Sequence, residues 1–463
     1  MSDETEIYTP APVTNTPEIY TPEGVTKVTK EDYEARQQWL NREITLNELR
    51  DMLNLTVRHD NSNKVITFLS MLLTYTDQDQ VNIAFNAESS SGKSYVPLEI
   101  ARYFPQEDVM TLAYCSPTAF FHEYGEFDEE TFVKRIDLSK KILIFLDMPH
   151  DQLLQRLRPL LSHDRKELLV KITDRSRSRG LGTKQVLLIG YPTVIFCSTR
   201  YSLDNQERTR CILLSPEIHE AKIKDALELI SQKQANRRQY KEYVDTSREY
   251  MFLGDRVNSI KRAGIEEVII PEELREEVVD QFKEIHKHFI PRHMRDFPRL
   301  FAFIKACTLL NHNHREKVNN HLIATRVDIF EAFTLYETIS KPNELGIPPE
   351  VYEFYEKVFQ EAIMENGYAS SKDLAKRYYE TYHKTIGAKR LKKIIDMLLE
   401  TGLVLEGKDP NDGRITVWSH PAGYIFPESE AIGSHVEGYI SPIDGDEGNL
   451  RQQQFNEMTR GDA

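Results

Sequence analysis

Residues 87–94 read Ala-Glu-Ser-Ser-Ser-Gly-Lys-Ser and stand between a short apolar run at 81–86 and a segment with helical spacing. A loop of this composition between strand and helix constrains the fold more than any other feature, because it belongs on the edge of an α/β sheet. Gly92 lets the backbone approach an anion, and the successive N–H groups at a helix start cradle phosphate. Lys93 is then placed to reach the outer phosphates, and the Ser94 hydroxyl to ligate Mg²⁺. Ala87, Glu88, Ser89, Ser90, Ser91, Gly92, Lys93 and Ser94 thus make a candidate ATP-binding loop, with Ala87 where the first glycine is usual. The plain alternative is a serine-rich turn before an ordinary helix.

Runs rich in β-branched and aromatic residues at 81–86, 109–112, 142–146, 186–189 and 193–197, most with helical stretches between them, predict a parallel sheet flanked by helices. Residues 140–147 (Lys-Lys-Ile-Leu-Ile-Phe-Leu-Asp) form an apolar strand ending in Asp147, whose carboxylate suits a metal's water shell. Met148 follows it, where a second carboxylate to polarise the attacking water is usual. A strand shifted by one puts Asp147 in that second place and Leu146 in the first. One member of the pair is missing either way, with Glu88 and Asp151 as nearby replacements. ATP binding is therefore expected, and fast hydrolysis does not follow from it.

Residues 1–30 are rich in Thr, Pro and Glu, and Glu-Ile-Tyr-Thr-Pro occurs at 6–10 and 18–22. Such a segment buries little apolar surface, so it is expected to be a disordered tail, either solubilising or docking a protein partner. Residues 31–214 are assigned to the nucleotide-binding unit and 215–345, helical throughout, to a lid. A small helical and hairpin unit occupies 346–420, and an acidic tail with Gly-Tyr-Ile at 423–425 and 438–440 runs over 421–463. The net charge of −14 sits mostly in the tails: 1–24 has five acids and no base, and 421–463 has eight acids against two arginines. The body is nearly neutral and leaves room for a local basic site. Four isolated cysteines without CxxC spacing read as reduced thiols, which suits the cytoplasm. No apolar run reaches the roughly 18 residues of a membrane span.

The order of features after the phosphate loop resembles the AAA+ ATPases with a pre-sensor-1 β-hairpin, which include minichromosome maintenance helicases and many phage and plasmid replication ATPases. The resemblance covers roughly 60–310. Residues 114–121 (Tyr-Cys-Ser-Pro-Thr-Ala-Phe-Phe) stand where such proteins begin their second helix, with a short insertion at 122–130. Extended runs at 168–174 and 183–189 flank 175–182 (Arg-Ser-Arg-Ser-Arg-Gly-Leu-Gly) and read as a hairpin with a basic tip. The resemblance implies that this hairpin enters a ring's pore, making Arg175, Arg177, Arg179 and Lys184 phosphate contacts to DNA; a solvated basic loop is the alternative. It also implies that Ser198 or Thr199 senses the γ-phosphate from the end of the 193–199 strand. Arg210, in Arg-Thr-Arg at 208–210, matches an arginine finger acting on a neighbour's nucleotide, unless this is merely a surface pair. Arg295 would approach the γ-phosphate from the lid, with Arg299 one turn further along.

In 346–420, helices at 350–365, 372–382 and 388–400 precede a hairpin of 403–406 with 414–418, which is the winged-helix order. Lys389, Arg390, Lys392 and Lys393 on the third helix suit DNA, with protein docking as the alternative. The expected fold is thus an AAA+ α/β P-loop domain whose parallel sheet is flanked by helices, with a helical lid, a winged helix and disordered acidic tails. The expected function is an ATP- and Mg²⁺-dependent ATPase forming a homo-oligomeric ring, preferably a hexamer, that acts on DNA as a helicase or replication-initiation motor. The rival is a non-translocating, ATP-controlled AAA+ regulator or adaptor of transposition or defence type. For the ATPase, Asp147, Arg210, Ser198 and Arg295 are the catalytic candidates, and Ser94 and Asp147 the metal ligands.

Overall fold

Four wholly buried strands and one partly exposed edge strand form one parallel sheet: β1 (Asn82–Asn86), β2 (Val109–Leu112, the edge), β3 (Ile142–Phe145), β4 (Thr193–Ser198) and β5 (Cys211–Leu214). Their order is β5-β1-β4-β3-β2, every neighbouring pair parallel. The computed structural model describes residues 18–21, 24–27, 30–87, 90–113, 125–174, 182–198, 210–286, 289–364 and 366–421. Continuous burial along a strand means that both sheet faces are covered. Ile83, Phe85, Ile144, Ile195 and Ile212 face a core shared with helices Asn61–Leu72 and His293–Leu310. Ala84, Leu143, Phe145, Val194 and Leu213 face the other core, closed by helix Asp151–Leu161. That helix buries Leu153, Leu154, Leu157, Leu160 and Leu161, one stripe at helical spacing.

The expected sheet membership needs one correction. The run at 186–189 belongs to a second, four-stranded sheet, ordered Glu126–Asp128, Val133–Asp137, Gly182–Ile189, Glu167–Asp174. The last two strands are the hairpin seen in the sequence, in antiparallel register from Glu167↔Ile189 to Asp174↔Gly182. Val133–Asp137 joins it in parallel, so the segment taken for a short insertion contributes to a hairpin of its own. Val186 and Leu188 point inward to the second core, which accounts for their strand-like character.

The lid is not all helix, because Glu267–Ile269, His321–Ile323 and Lys317–Val318 make a small sheet within it. Nor is it packed apart: its core is continuous with one face of the central sheet. The region taken as a tail is also ordered in part. Glu18–Thr21 pairs antiparallel with Gly24–Lys27, and helix Lys30–Leu40 docks on lid helix Arg248–Ala263. There Arg36 Nη1 meets Asp255 Oδ2 at 3.0 Å and Trp39 stacks on Phe252 at 4.4 Å. The N-terminal helix is thus seated on the lid rather than on the sheet.

A third core lies within the C-terminal unit. Its first helix starts at Pro349 and passes through a wide turn, Tyr355–Phe359, into Gln360–Ile363. Helix Ser371–Tyr382 is opened by reciprocal capping between Ser370 and Asp373, and helix Ala388–Glu400 follows. Strands Leu405–Lys408 and Thr416–Ser419 form the expected hairpin, to which Tyr368–Ser370 adds a third strand. The helix leading into this unit, Ser340–Leu345, is tied to the central sheet. The Asn343 side chain accepts from Leu213 N at 2.8 Å and donates to Leu213 O at 3.1 Å.

Candidate functional site

The carboxyl ends of β1, β4 and β3 meet at one level, because Ser198 pairs in register with Asn86 and Phe196 with Phe145. Ligands of open α/β sheets bind at these carboxyl ends. Residues 87–94 leave β1 there, Ser198 closes β4, and Asp147 lies two residues past β3. With about 4.8 Å between strands, Asp147 is about 10 Å of sheet from β1, which leaves room for a phosphate and its metal between them.

The loop holds its own conformation. Ala87 is buried and its N–H donates to Ser198 O at 3.3 Å, so the ladder outlasts the strand. Gly92 sits at φ +95°, where an L side chain is strained, and among the described residues no atom lies within 4 Å of where its Cβ would be. Its carbonyl accepts from Tyr95 N at 2.9 Å and Val96 N at 3.2 Å, closing the turn into helix Tyr95–Ala101. Ser90 also has positive φ. Ser94 does not use its hydroxyl to cap that helix. Glu88 and Ser89 lie outside the described residues.

Sequence reading missed Cys197. Its buried thiol contacts Lys93 O at 3.5 Å. Burial pushes this thiol up to about 11 against the opposing pull of the Ser94 hydroxyl and the Lys93 charge, so it stays neutral beside the loop. Only the strict alternation along β4 could have placed it on the loop side.

Asp147 is exposed, and one of its carboxylate oxygens accepts from Met148 N at 2.8 Å. Met148 packs against the second core, and Asp151 opens the next helix as an exposed residue.

The arginines gather at the opposite end of the sheet. Arg210 immediately precedes β5, and its Nε donates to Ser162 Oγ at 2.5 Å. Arg299 donates to Cys211 O at 3.1 Å and to Asp296 Oδ1 at 2.8 Å. Arg210, Arg295 and Arg299 line a cavity of about 400 Å³ with Asn82, Ser162 and Asp164, at the amino ends of β1 and β5. The five residues of β1 separate this cavity from the phosphate loop, roughly 13 Å of strand. Arg295 therefore does not approach the loop of its own chain, contrary to expectation. Helix His293–Leu310 packs across the sheet so that its start lies at the amino edge. Thr199 and Arg208 lie outside the described residues.

Of the basic residues assigned to DNA, Arg175, Arg177 and Arg179 lie outside the described residues, while Lys184 is exposed on its strand. Lys389, Lys392 and Lys393 are exposed on helix Ala388–Glu400, whose other face buries Leu391, Ile394, Ile395 and Leu398. Arg390 is a correction. Its guanidinium pairs with Glu350, donates to Tyr378 Oη at 3.3 Å and lies 5.8 Å from the centre of that ring. At 100° per residue position 390 lies at the margin of the 389/392/393 face, roughly 60° from 393 and roughly 160° from 392, so the spacing alone does not separate it from the lysines. Lys384, just before the helix, is also exposed.

These placements separate two outcomes. Replacing Lys389, Lys392 and Lys393 together by alanine is expected to flatten the log–log salt dependence of DNA affinity by about 2–3 if each meets a phosphate, leaving stability unchanged. Replacing Arg390 by alanine strands a mostly buried Glu350 and is expected to cost about 1–3 kcal/mol in denaturant unfolding. An Arg390 variant of wild-type stability would show that the pair holds nothing together.

Among the described residues no helix is long and apolar enough to cross a membrane. A scan against protein-family models finds no match for this chain, and a search of curated proteins finds none either.

Proposed function

We propose that this chain is an ATP-dependent AAA+ protein that acts on DNA and completes its nucleotide sites between copies of itself. The observation that carries this reading is the division of the parallel sheet into two chemically different ends. At one end are Lys93, Ser94, Ser198 and Asp147; at the other are Arg210, Arg295 and Arg299. A phosphate fits the first end, where Gly92 leaves its approach open and the loop runs straight into a helix. Lys93 would hold the outer phosphates, with Ser94 and Asp147 on the Mg²⁺ side. Bound ATP supplies a phosphoryl group whose transfer to water develops charge that arginines stabilise. In one chain the arginines are a sheet length away, so only a neighbour stacked head to tail supplies them. Such a contact makes a ring when its rotation closes, a hexamer in this reading.

The C-terminal unit supports the DNA part. Its helices and three-stranded sheet follow winged-helix order, and its third helix presents three exposed lysines. The basic hairpin of the second sheet is the other proposed DNA contact. A helicase or replication-initiation motor is the function these parts suit best. One observation favours the second reading, an ATP-controlled regulator that does not translocate: Met148, where a second carboxylate is usual, packs against the second core.

The deciding experiment measures ATP binding, particle size and ATP turnover, each with and without DNA. ATP-dependent assembly with DNA-stimulated turnover is the expected result. Assembly with ATP but turnover indifferent to DNA selects the regulator. Absence of ATP binding removes both.

A further inference from the structure

We propose that His286, His293 and Glu344 form a binding site for a zinc-class divalent metal, which pins the helix leading to the C-terminal unit onto the lid. The three residues come from different elements. His286 ends helix Glu272–Ile285, His293 opens helix His293–Leu310, and Glu344 lies in Ser340–Leu345. One ligand atom from each lies within 4.8 Å of the other two. Both imidazoles are buried, His286 at 6% and His293 at 5% exposure.

The distances are those of a ligand set rather than of a salt bridge. Glu344 Oε1 lies 3.4 Å from His293 Nε2, and Oε2 lies 3.8 Å from His286 Nδ1. Neither is a good hydrogen bond, and His293 Nε2 is fully buried with no hydrogen-bond partner among the described residues. Burying such an atom without a partner is costly. In a tetrahedral site with bonds of about 2.0–2.1 Å, neighbouring ligand atoms are about 3.3–3.4 Å apart, so the His293–Glu344 spacing already suits a shared ion. Two imidazoles and one carboxylate are ligands that zinc accepts, with water in the fourth position.

The surroundings orient the rings. His286 Nε2 lies 3.1 Å from Tyr336 Oη; a proton there leaves the Nδ1 lone pair facing Glu344. On His293, Nδ1 lies 3.3 Å from Ile290 N–H, which puts the ring proton on Nε2 while no ion is bound. Metal binding then moves that proton to Nδ1, and the Ile290 amide, in an exposed turn, turns from the ring to water. The nearby Arg292 charge is partly offset by Asp296, which it meets at 3.3 Å and which also pairs with Arg299 at 2.8 Å. Glu344 keeps 28% of its side chain exposed and gives the ion a way in.

A second cluster, His59, Glu217 and His219, is an internal control. His59 Nε2 is held by Asp225 at 2.7 Å, and His219 Nε2 meets Glu217 at 3.0 Å while Nδ1 caps Lys222 N–H. His59 Nε2 and both nitrogens of His219 are thus already engaged within the protein, whereas His293 Nε2 is not.

The consequence is mechanical and independent of the nucleotide reading. The ion joins the helix bearing Arg295 and Arg299 to the segment whose Asn343 grips β5. The test uses the full chain, free of any metal-binding tag, stripped with chelator and titrated with ZnCl₂ in the absence of nucleotide. About one zinc per chain retained through gel filtration is expected, together with a tetrahedral-type visible spectrum when Co²⁺ replaces it. Glu344→Gln and His293→Gln should each weaken zinc binding by roughly 100-fold or more. A double His59→Gln, His219→Gln variant should bind as wild type does. Glu344→Gln keeps the shape of a partly exposed side chain, and its circular dichroism and metal-free melting confirm that it folds. Equal zinc binding by wild type and Glu344→Gln, or loss of binding in the His59/His219 variant instead, would overturn the proposal.

Discussion

Lys93→Ala is expected to weaken ATP binding by about 100-fold or more, equivalent to about 2.7 kcal/mol, because it removes the one side-chain cation from residues 87–94. The fold should be indifferent, since the backbone of the turn is held by Gly92 O, Ala87 N and Ser198 O rather than by the lysine head group. Thermal unfolding separates the two effects. Wild-type protein in ATP at 100 times its dissociation constant gains about 2.7 kcal/mol of stability by mass action, whereas the variant gains about 0.4 kcal/mol or less at the same concentration. A variant that still binds ATP like wild type would leave the phosphate-loop reading without its foundation.

Arg210→Ala is expected to keep ATP affinity and lose turnover by about 10³-fold, the usual scale for a charge-stabilising arginine. Its position at the amino end of β5 makes the loss transferable between copies. A Lys93→Ala chain retains an intact Arg210 edge, and an Arg210→Ala chain retains an intact loop. In an equal mixture, roughly a quarter of head-to-tail interfaces join one intact half to the other, so turnover should reappear although each variant alone is inactive. Mixed assemblies that stay inactive at every ratio would mean that Arg210 only anchors Ser162 and supports the strand.

The central α/β unit was legible because its signals are local. A loop between strand and helix, apolar runs of strand length and the hairpin register can all be read within about a dozen residues. The capping pair Ser370 and Asp373, three residues apart, is an equally local pattern. Other features depend on partners distant in the chain. Val133–Asp137 is a strand because Gly182–Ile189 lies beside it, and Lys30–Leu40 is seated by Asp255 and Phe252, more than 200 residues on. The 186–189 run was correctly read as extended and assigned to the wrong sheet, since period alone does not name a strand's neighbour. Arg295 was misplaced for a similar reason. Its spacing in the lid helix is visible in the sequence, but the sheet edge at which the helix starts is decided by packing. Buried Arg256 left no signal at all; it donates to Leu310 O and Trp39 O from inside the lid, work that charge alone does not announce.

Asn343 has a further consequence. β5 is the last strand of its sheet, and on its free side Leu213 presents an N–H and a C=O that an extended peptide from another molecule could use. The carboxamide of Asn343 satisfies both, imitating one residue of a sixth strand without supplying the rest. The sheet is thereby terminated, and strand-by-strand growth into fibres is blocked at its most apolar flank. Because this stopper belongs to the segment that leads to the C-terminal unit, cutting the chain before residue 340 would uncover that flank, and the shortened protein should self-associate.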